Sequence, residues 1–341
     1  MNNSLPSRKL TIEDVAEYAG VSTATVSRVL AGSNSVSENL RLHVLESIEA
    51  LGYFPNQLGR NLRRLSTNII GMVVTDIQNP FFTSILRGVQ DTLLPHKHVV
   101  LLANSDEDPE LELIQLRTFR AQGVAGIIFT PTFVDYKDTQ HLFEGIAVVA
   151  IDRFPKNIAI DTITVNNTAG SFAATQHLIF SGHHRIGFIS GNLDVTTGRD
   201  RYSGYLTALQ QSHLPIIDEL IQNGSFNQEG GFGAMNRLLE LERPPTAVVS
   251  ANNLMTLGAL QAIHDRCLKI PDDICIVGFD DMTFASSLQP PLTVVAQPTY
   301  EIGQKAAHLL LERLEKPDIP ARQIILDTRL IIRASTSTDP C

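Results

Sequence analysis

The chain has 341 residues, of which 43% are hydrophobic and 18% charged. That mix is ordinary for a globular protein, and the length asks for two or three domains rather than one core. It has no tryptophan, which excludes a carbohydrate platform built on indole rings, and its net charge of −9 is spread unevenly. Residues 1–66 hold seven Lys/Arg against six Asp/Glu, so the acidic excess lies in residues 67–341 and any contact with DNA is expected from the N-terminal piece.

Residues 11–51 carry helical spacing and no strand signal. Thr11 and Asp14 are spaced as a capping box, Ile12, Val15, Ala16 and Ala19 form one apolar stripe, and Gly20 ends the helix. Ser22 caps a second helix with Val26, Val29 and Leu30 inside, which Gly32 stops. Ser37 caps a third, with Leu40, Val44, Leu45, Ile48 and Leu51 inside and Gly52 after it. The stretch 53–68, "YFPNQLGRNLRRLSTN", is polar and basic and reads as a linker with weak helical potential.

From residue 69 the pattern alternates. "IIGMVV", "HVVLLAN", "VAGIIFT" and "IAVVAID" read as strands, interleaved with helices over 81–94 and 109–121. A second set follows: a helix over 168–181, "RIGFIS", helices over 199–212 and 228–240, "TAVVS", a helix over 254–266 and "DICIVGFD". Two such sets predict two doubly wound lobes of parallel sheet, with ligands at the carboxyl ends of the strands.

A helix, a short turn at 19–21 and a second helix "VSTATVSRVL" make a helix-turn-helix candidate, although spacing alone suits an ordinary small bundle equally. "TIEDVAEYAGVSTATVSRVL", continued by "VSENLRLHVLESIEALGYFPNQLGRNLRR", resembles the DNA-binding headpiece of the lactose/galactose-repressor family, and the resemblance runs through essentially the whole chain from residue 10. It implies that Thr23, Ala24 and Arg28 read bases and that Ser22, Thr25, Ser27 and Asn34 hold phosphates. It further implies a hinge that orders on operator DNA, with Leu62 wedged between base pairs and Asn56, Arg60 and Arg63 at the backbone. Gly59 stands where alanine is common in the family, which raises the cost of ordering that hinge.

The body resembles the type I periplasmic sugar-binding fold. Polar groups interrupt the chain after its apolar strands, at 76–82, 150–154, 196–205, 224–228, 250–253, 278–281 and 295–299. Asp152, Arg153, Arg201, Asn252, Asp280 and Gln297 offer donors and acceptors for several hydroxyls, and Phe81, Phe82 and Phe226 offer flat walls for a sugar. With Asn79, this set resembles that of ribose-binding proteins and ribose operon repressors. One departure is Asn252–Asn253, where the family often has Asn-Asp; losing that carboxylate bears on a lobe contact or on the ligand.

Other chemistries lack their signatures. There is no P-loop, no dinucleotide fingerprint, no GxSxG elbow and no CxxC pair, and His96, His98, His183 and His184 lie near turns without partner ligands. No enzyme activity, cofactor or metal is therefore expected. Three cysteines, an N-terminus without an apolar run and no bilayer-length apolar stretch point to the cytoplasm, at the nucleoid, and to no membrane partner.

The expected architecture is a small all-α helix-turn-helix headpiece (1–54), a hinge (55–67) and an α/β core of two lobes (68–341). The lobes are about 68–165 plus 297–326 and 166–296 plus 327–341. The expected function is a repressor that binds double-stranded operator DNA under control of a small sugar, D-ribose or a related pentose, as inducer. Lobe closure on the sugar would change the spacing of the two hinges in a dimer. The chain ends at Cys341 without a leucine heptad tail, which favours a homodimer over a tetramer. A nucleoside, a purine or another monosaccharide stays open as the effector, as does a sugar-binding protein with no role on DNA.

Overall fold

The computed structural model describes residues 10–30, 33, 35–53, 67–132 and 135–336, and the chain divides into two units, residues 1–66 and 67–341. The first unit contains α1 (Ile12–Tyr18), α2 (Thr23–Leu30) and α3 (Glu38–Leu51). The Thr11 side chain accepts the Asp14 N–H, and the Asp14 carboxylate accepts the Thr11 N–H at 2.7 Å, a reciprocal capping box. Gly20 turns the chain with φ of +61°, a conformation that costs glycine little.

Val15, Val26 and Val44 are fully buried and centre a small core completed by Ala16, Ala19, Val29 and Tyr53. Leu45 does not join it. The helical period carries the inner stripe through Val44, Ser47, Ile48 and Leu51, which leaves Leu45 exposed and buries Ser47, whose hydroxyl donates to the His43 carbonyl at 2.8 Å. Ser37 holds the N-cap position of α3 but makes no capping bond with its side chain.

The second unit holds two six-stranded sheets. One is built from β1 (Ile69–Val74), β2 (Val99–Asn104), β3 (Gly126–Phe129), β4 (Ala147–Ile151), β5 (Asp161–Val165) and β11 (Gln323–Leu326). Its strand order is β11-β5-β4-β3-β1-β2 and every pair is parallel. The helices α4 (Pro80–Leu93), α5 (Pro109–Ala121) and α10 (Thr299–Glu315) cover it. Gly88 of α4 and Gly303 of α10 let these two helices touch: a Cβ at Gly88 would lie 2.2 Å from the Tyr300 carbonyl oxygen.

The other sheet is built from β6 (Ile186–Ser190), β7 (Ile221–Asn223), β8 (Ala247–Ser250), β9 (Cys275–Phe279), β10 (Thr293–Ala296) and β12 (Arg329–Ile331), in the order β12-β10-β9-β8-β6-β7. Around it lie α6 (Asn167–Phe180), α7 (Thr196–Gln211), α8 (Gln228–Leu239) and α9 (Asn253–Asp265). The chain crosses between lobes after β5, after β10 and after β11.

The pairing of β10 with β12 is antiparallel, which departs from the all-parallel expectation. β10 runs toward the crossing and β12 comes from it, so the two meet in opposite directions. α7 begins at Thr196, three residues before the expected 199, and this brings Thr197 into its first turn.

Candidate functional site

In the first unit, α2 turns two faces outward and inward. Thr23 and Ser27, and Ala24 and Arg28, are spaced i, i+4 on one side, while Val26 and Val29 go into the core. Ser22, Thr23, Ala24 and Arg28 are exposed, and Thr25 and Ser27 are half-buried. The Ser22 hydroxyl accepts the Thr25 N–H at 3.2 Å and pairs with the Thr25 hydroxyl at 2.9 Å, so it caps the helix. Small hydroxylated and methyl side chains followed by one arginine form a face that a groove edge can approach closely. Asn34, Asn56, Arg60, Leu62 and Arg63 lie outside the described residues.

In the second unit, a cavity of about 230 Å³ opens between the lobes, at the carboxyl ends of strands from both sheets. All ten residues singled out in the sequence line it: Asn79, Phe81, Phe82, Asp152, Arg153, Arg201, Phe226, Asn252, Asp280 and Gln297. Asn79 caps α4 by accepting the Phe81 N–H at 3.0 Å, and Phe81 and Phe82 stand edge to face behind it. Asn252 caps α9 in the same way, accepting the Met255 N–H at 2.8 Å, and its amide donates to the Phe226 carbonyl at 3.0 Å.

Asp152 follows β4 and Asp280 follows β9. Both sit in the left-handed region, with φ of +68° and +73°, and each backbone N–H donates to the neighbouring strand, at Ile163 and Val295. The two lobes therefore present one carboxylate each from matching strand ends. Asp tolerates this backbone better than most residues, and its recurrence in both lobes marks strain kept for placement.

Each carboxylate has a guanidinium near it. Arg201 donates to Asn167 Oδ1 at 2.7 Å and to the Ala251 carbonyl at 2.6 Å, and lies 3.8 Å over the Phe279 ring. Arg153 lies 5.4 Å from the Phe226 ring across the cleft and makes two bonds to Glu107, at 2.6 and 2.7 Å. Gln297 donates to Asp280.

Burial pushes the Asp152 carboxyl above its ordinary range against the pull of Arg153 and Arg201. Burial raises Asp280 likewise, against Arg201 and Gln297. Burial lowers Arg201, which the two aspartates partly restore. Three buried atoms of cavity-lining residues have no hydrogen-bond partner: Arg153 Nε, Thr197 Oγ1 and Gln297 Oε1. Arg153 Nε also faces Asp152 Oδ2 in an ion pair at 3.5 Å. A buried donor, a hydroxyl and an acceptor without hydrogen bonds are suited to hydroxyl groups of an entering molecule.

The cavity also has lining residues outside the stretches the sequence singled out, Thr75 and, after β2, Asp106 and Glu107; Asp76, Thr197, Ser225 and Asn227 lie within those stretches without having been chosen as site residues. The signal was present at Asp106 and Glu107, since "SDED" interrupts an apolar strand like the other stretches. Among the described residues no group of three or more His, Cys, Asp or Glu has the arrangement to hold a metal ion, and no helix is long and apolar enough to cross a membrane.

Residues 11–56 match the family described as bacterial regulatory proteins, lacI family, and residues 175–336 match the periplasmic binding protein-like domain. The HTH-type transcriptional repressor PurR of Mannheimia succiniciproducens is 35% identical over 329 residues, covering 95% of this chain and 98% of that protein. A solved lac repressor dimer bound to operator and the anti-inducer ONPF is 26% identical with a TM-score of 0.82, covering 96% of this chain and 99% of that one. A LacI family regulator from Enterococcus faecium with bound ribose is 26% identical with a TM-score of 0.71, covering 80% of this chain and 100% of that one. With a helix-turn-helix unit at one end and a two-lobed, polar-lined cleft in its body, the chain belongs to the lacI family of bacterial regulatory proteins, DNA-binding repressors under small-molecule control.

Proposed function

We propose that this protein is a cytoplasmic, homodimeric repressor whose hold on its operator is released by a small uncharged sugar, D-ribose or a related pentose. The carrying observation is the convergence of the ten cleft residues on one cavity. Two carboxylates, two guanidinium groups and three amides face it between aromatic walls, a set that suits several ring hydroxyls at once. The cavity, at about 230 Å³, is smaller than the roughly 300–1,000 Å³ that drug-sized ligands occupy, which suits a small polar ligand such as a monosaccharide. The ribose-bound relative supports the same reading.

In this reading residues 1–54 are the headpiece, 55–67 the hinge and 68–341 the effector core. Thr23, Ala24 and Arg28 read bases, Ser22, Thr25, Ser27 and Asn34 hold phosphates, and Asn56, Arg60, Leu62 and Arg63 engage the DNA from the hinge. Effector and operator are linked by a coupling free energy, so operator DNA also weakens sugar binding by the same factor. The similarity to a repressor named PurR supports a second reading within the same class, a different small ligand in this cleft.

Two substitutions separate the roles. Arg28→Ala removes operator preference and leaves sugar binding intact. Asp280→Ala removes the sugar response and leaves operator binding intact. Loss of both activities in either folded variant contradicts the assignment.

A further inference from the structure

Arg153 is 4% exposed, yet the cleft does not have its guanidinium to itself. Glu107, 33% exposed, takes both terminal nitrogens, Oε1 on Nη2 at 2.6 Å and Oε2 on Nη1 at 2.7 Å. The loop that delivers Glu107 is strained. Asp106 and Glu107 are consecutive left-handed residues, with φ of +51° and +57°. The loop is held by the Asn104 amide on Asp106, by Asp108 capping α5 and by the Ser105 N–H on the Val74 carbonyl at 2.9 Å. Left-handed backbone is disfavoured for residues other than glycine, and here it occurs twice in a row, so the placement of this carboxylate is an enforced one.

The cleft is consequently short of free positive charge. Asp76, Asp106, Glu107, Asp152 and Asp280 line it against Arg153 and Arg201. Bidentate pairing with a carboxylate uses the same fork by which an arginine grips a phosphate.

We propose that Glu107 removes Arg153 from anion recognition, so that the cleft accepts an uncharged polyol and rejects its phosphorylated counterpart. The proposal rests on the sugar-cleft reading above and makes Glu107 a specificity-determining residue within it. Arg153 then meets the ligand through its Nε edge, which makes no hydrogen bond and lies 3.5 Å from Asp152 Oδ2, and through its cationic face, while its terminal fork stays occupied.

The test is isothermal titration calorimetry of the full chain, unsubstituted and as Glu107→Ala and Glu107→Gln, with D-ribose, D-ribose 5-phosphate and inorganic phosphate. The unsubstituted protein binds D-ribose at least about tenfold more tightly than the 5-phosphate. Glu107→Ala gains at least about tenfold in affinity for inorganic phosphate, which takes the vacated fork, and Glu107→Gln, which keeps the side-chain shape, moves in the same direction. Adding Arg153→Ala to Glu107→Ala cancels the gain.

An unsubstituted protein that binds D-ribose 5-phosphate as tightly as D-ribose overturns the proposal. So does unchanged phosphate affinity in both Glu107 variants. If D-ribose binds none of the proteins, the pentose reading fails, and the phosphate titrations still decide the role of Glu107.

Discussion

Glu112 on α5 gives a pH dependence that can be calculated. Its side chain is fully buried, accepting the Tyr136 O–H at 2.7 Å and the Thr132 N–H at 2.6 Å. Burial pushes its carboxyl up to about 7 from an ordinary 4.5, against the opposing pull of those two hydrogen bonds and of Arg153. The folded chain therefore keeps a proton at pH values where the unfolded chain gives it up. By linkage this group lowers stability as pH rises from 4.5 through 7, and restores it on acidification. Between about pH 8 and about pH 5.5 the restored stability is about 2 kcal/mol. Glu112→Gln carries no titrating group and lacks this contribution. Urea unfolding of both proteins at the two pH values isolates it, because every other titration is shared. The stability difference between them should move by about 2 kcal/mol in favour of the unsubstituted chain on going to the lower pH. A difference that is the same at both pH values refutes the buried titration.

Gly191→Ala places a Cβ 2.0 Å from Cζ of Phe226, whose carbonyl is held by Asn252, so the ring must leave its seat. Sugar affinity measured by calorimetry should fall by about 1–3 kcal/mol with operator binding unchanged, and undiminished affinity would show that Phe226 is no wall of the site. Asn253→Asp tests the lobe contact. Asn79 Oδ1 is committed as an acceptor by the Phe81 N–H, so only a donor suits the Asn253 position 2.8 Å away in the other lobe. Two facing acceptors should destabilise the effector-free core by about 1–3 kcal/mol in urea unfolding and widen it in small-angle scattering; unchanged values would show that the contact does not hold the lobes together.

The cleft was legible because its chemistry follows a local rule. Asp152 and Asp280 come directly after an apolar strand and Asn252 two residues after one, and a doubly wound sheet delivers those positions to one place. The elements that escaped are those too short or too half-exposed to carry a period. β7 and β12 have three residues each, and β11 alternates exposed and half-buried positions. β5 and α10 were also passed over, and the place of α10 depends on α4, about two hundred positions earlier in the chain. Glu107 escaped for a different reason. Its role depends on a left-handed backbone and on an arginine 46 positions away, and neither is a property of the local sequence.

The most direct measurement of the central claim is a binding titration of the full chain on the promoter DNA beside its own coding sequence, at one fixed moderate salt concentration, with and without D-ribose. Fixed salt matters because phosphate contacts make the affinity steeply salt-dependent. The account predicts sequence-specific binding that D-ribose weakens. Specific binding indifferent to D-ribose contradicts the pentose assignment, and no specific binding contradicts the reading of "VSTATVSRVL" as a recognition helix for that DNA.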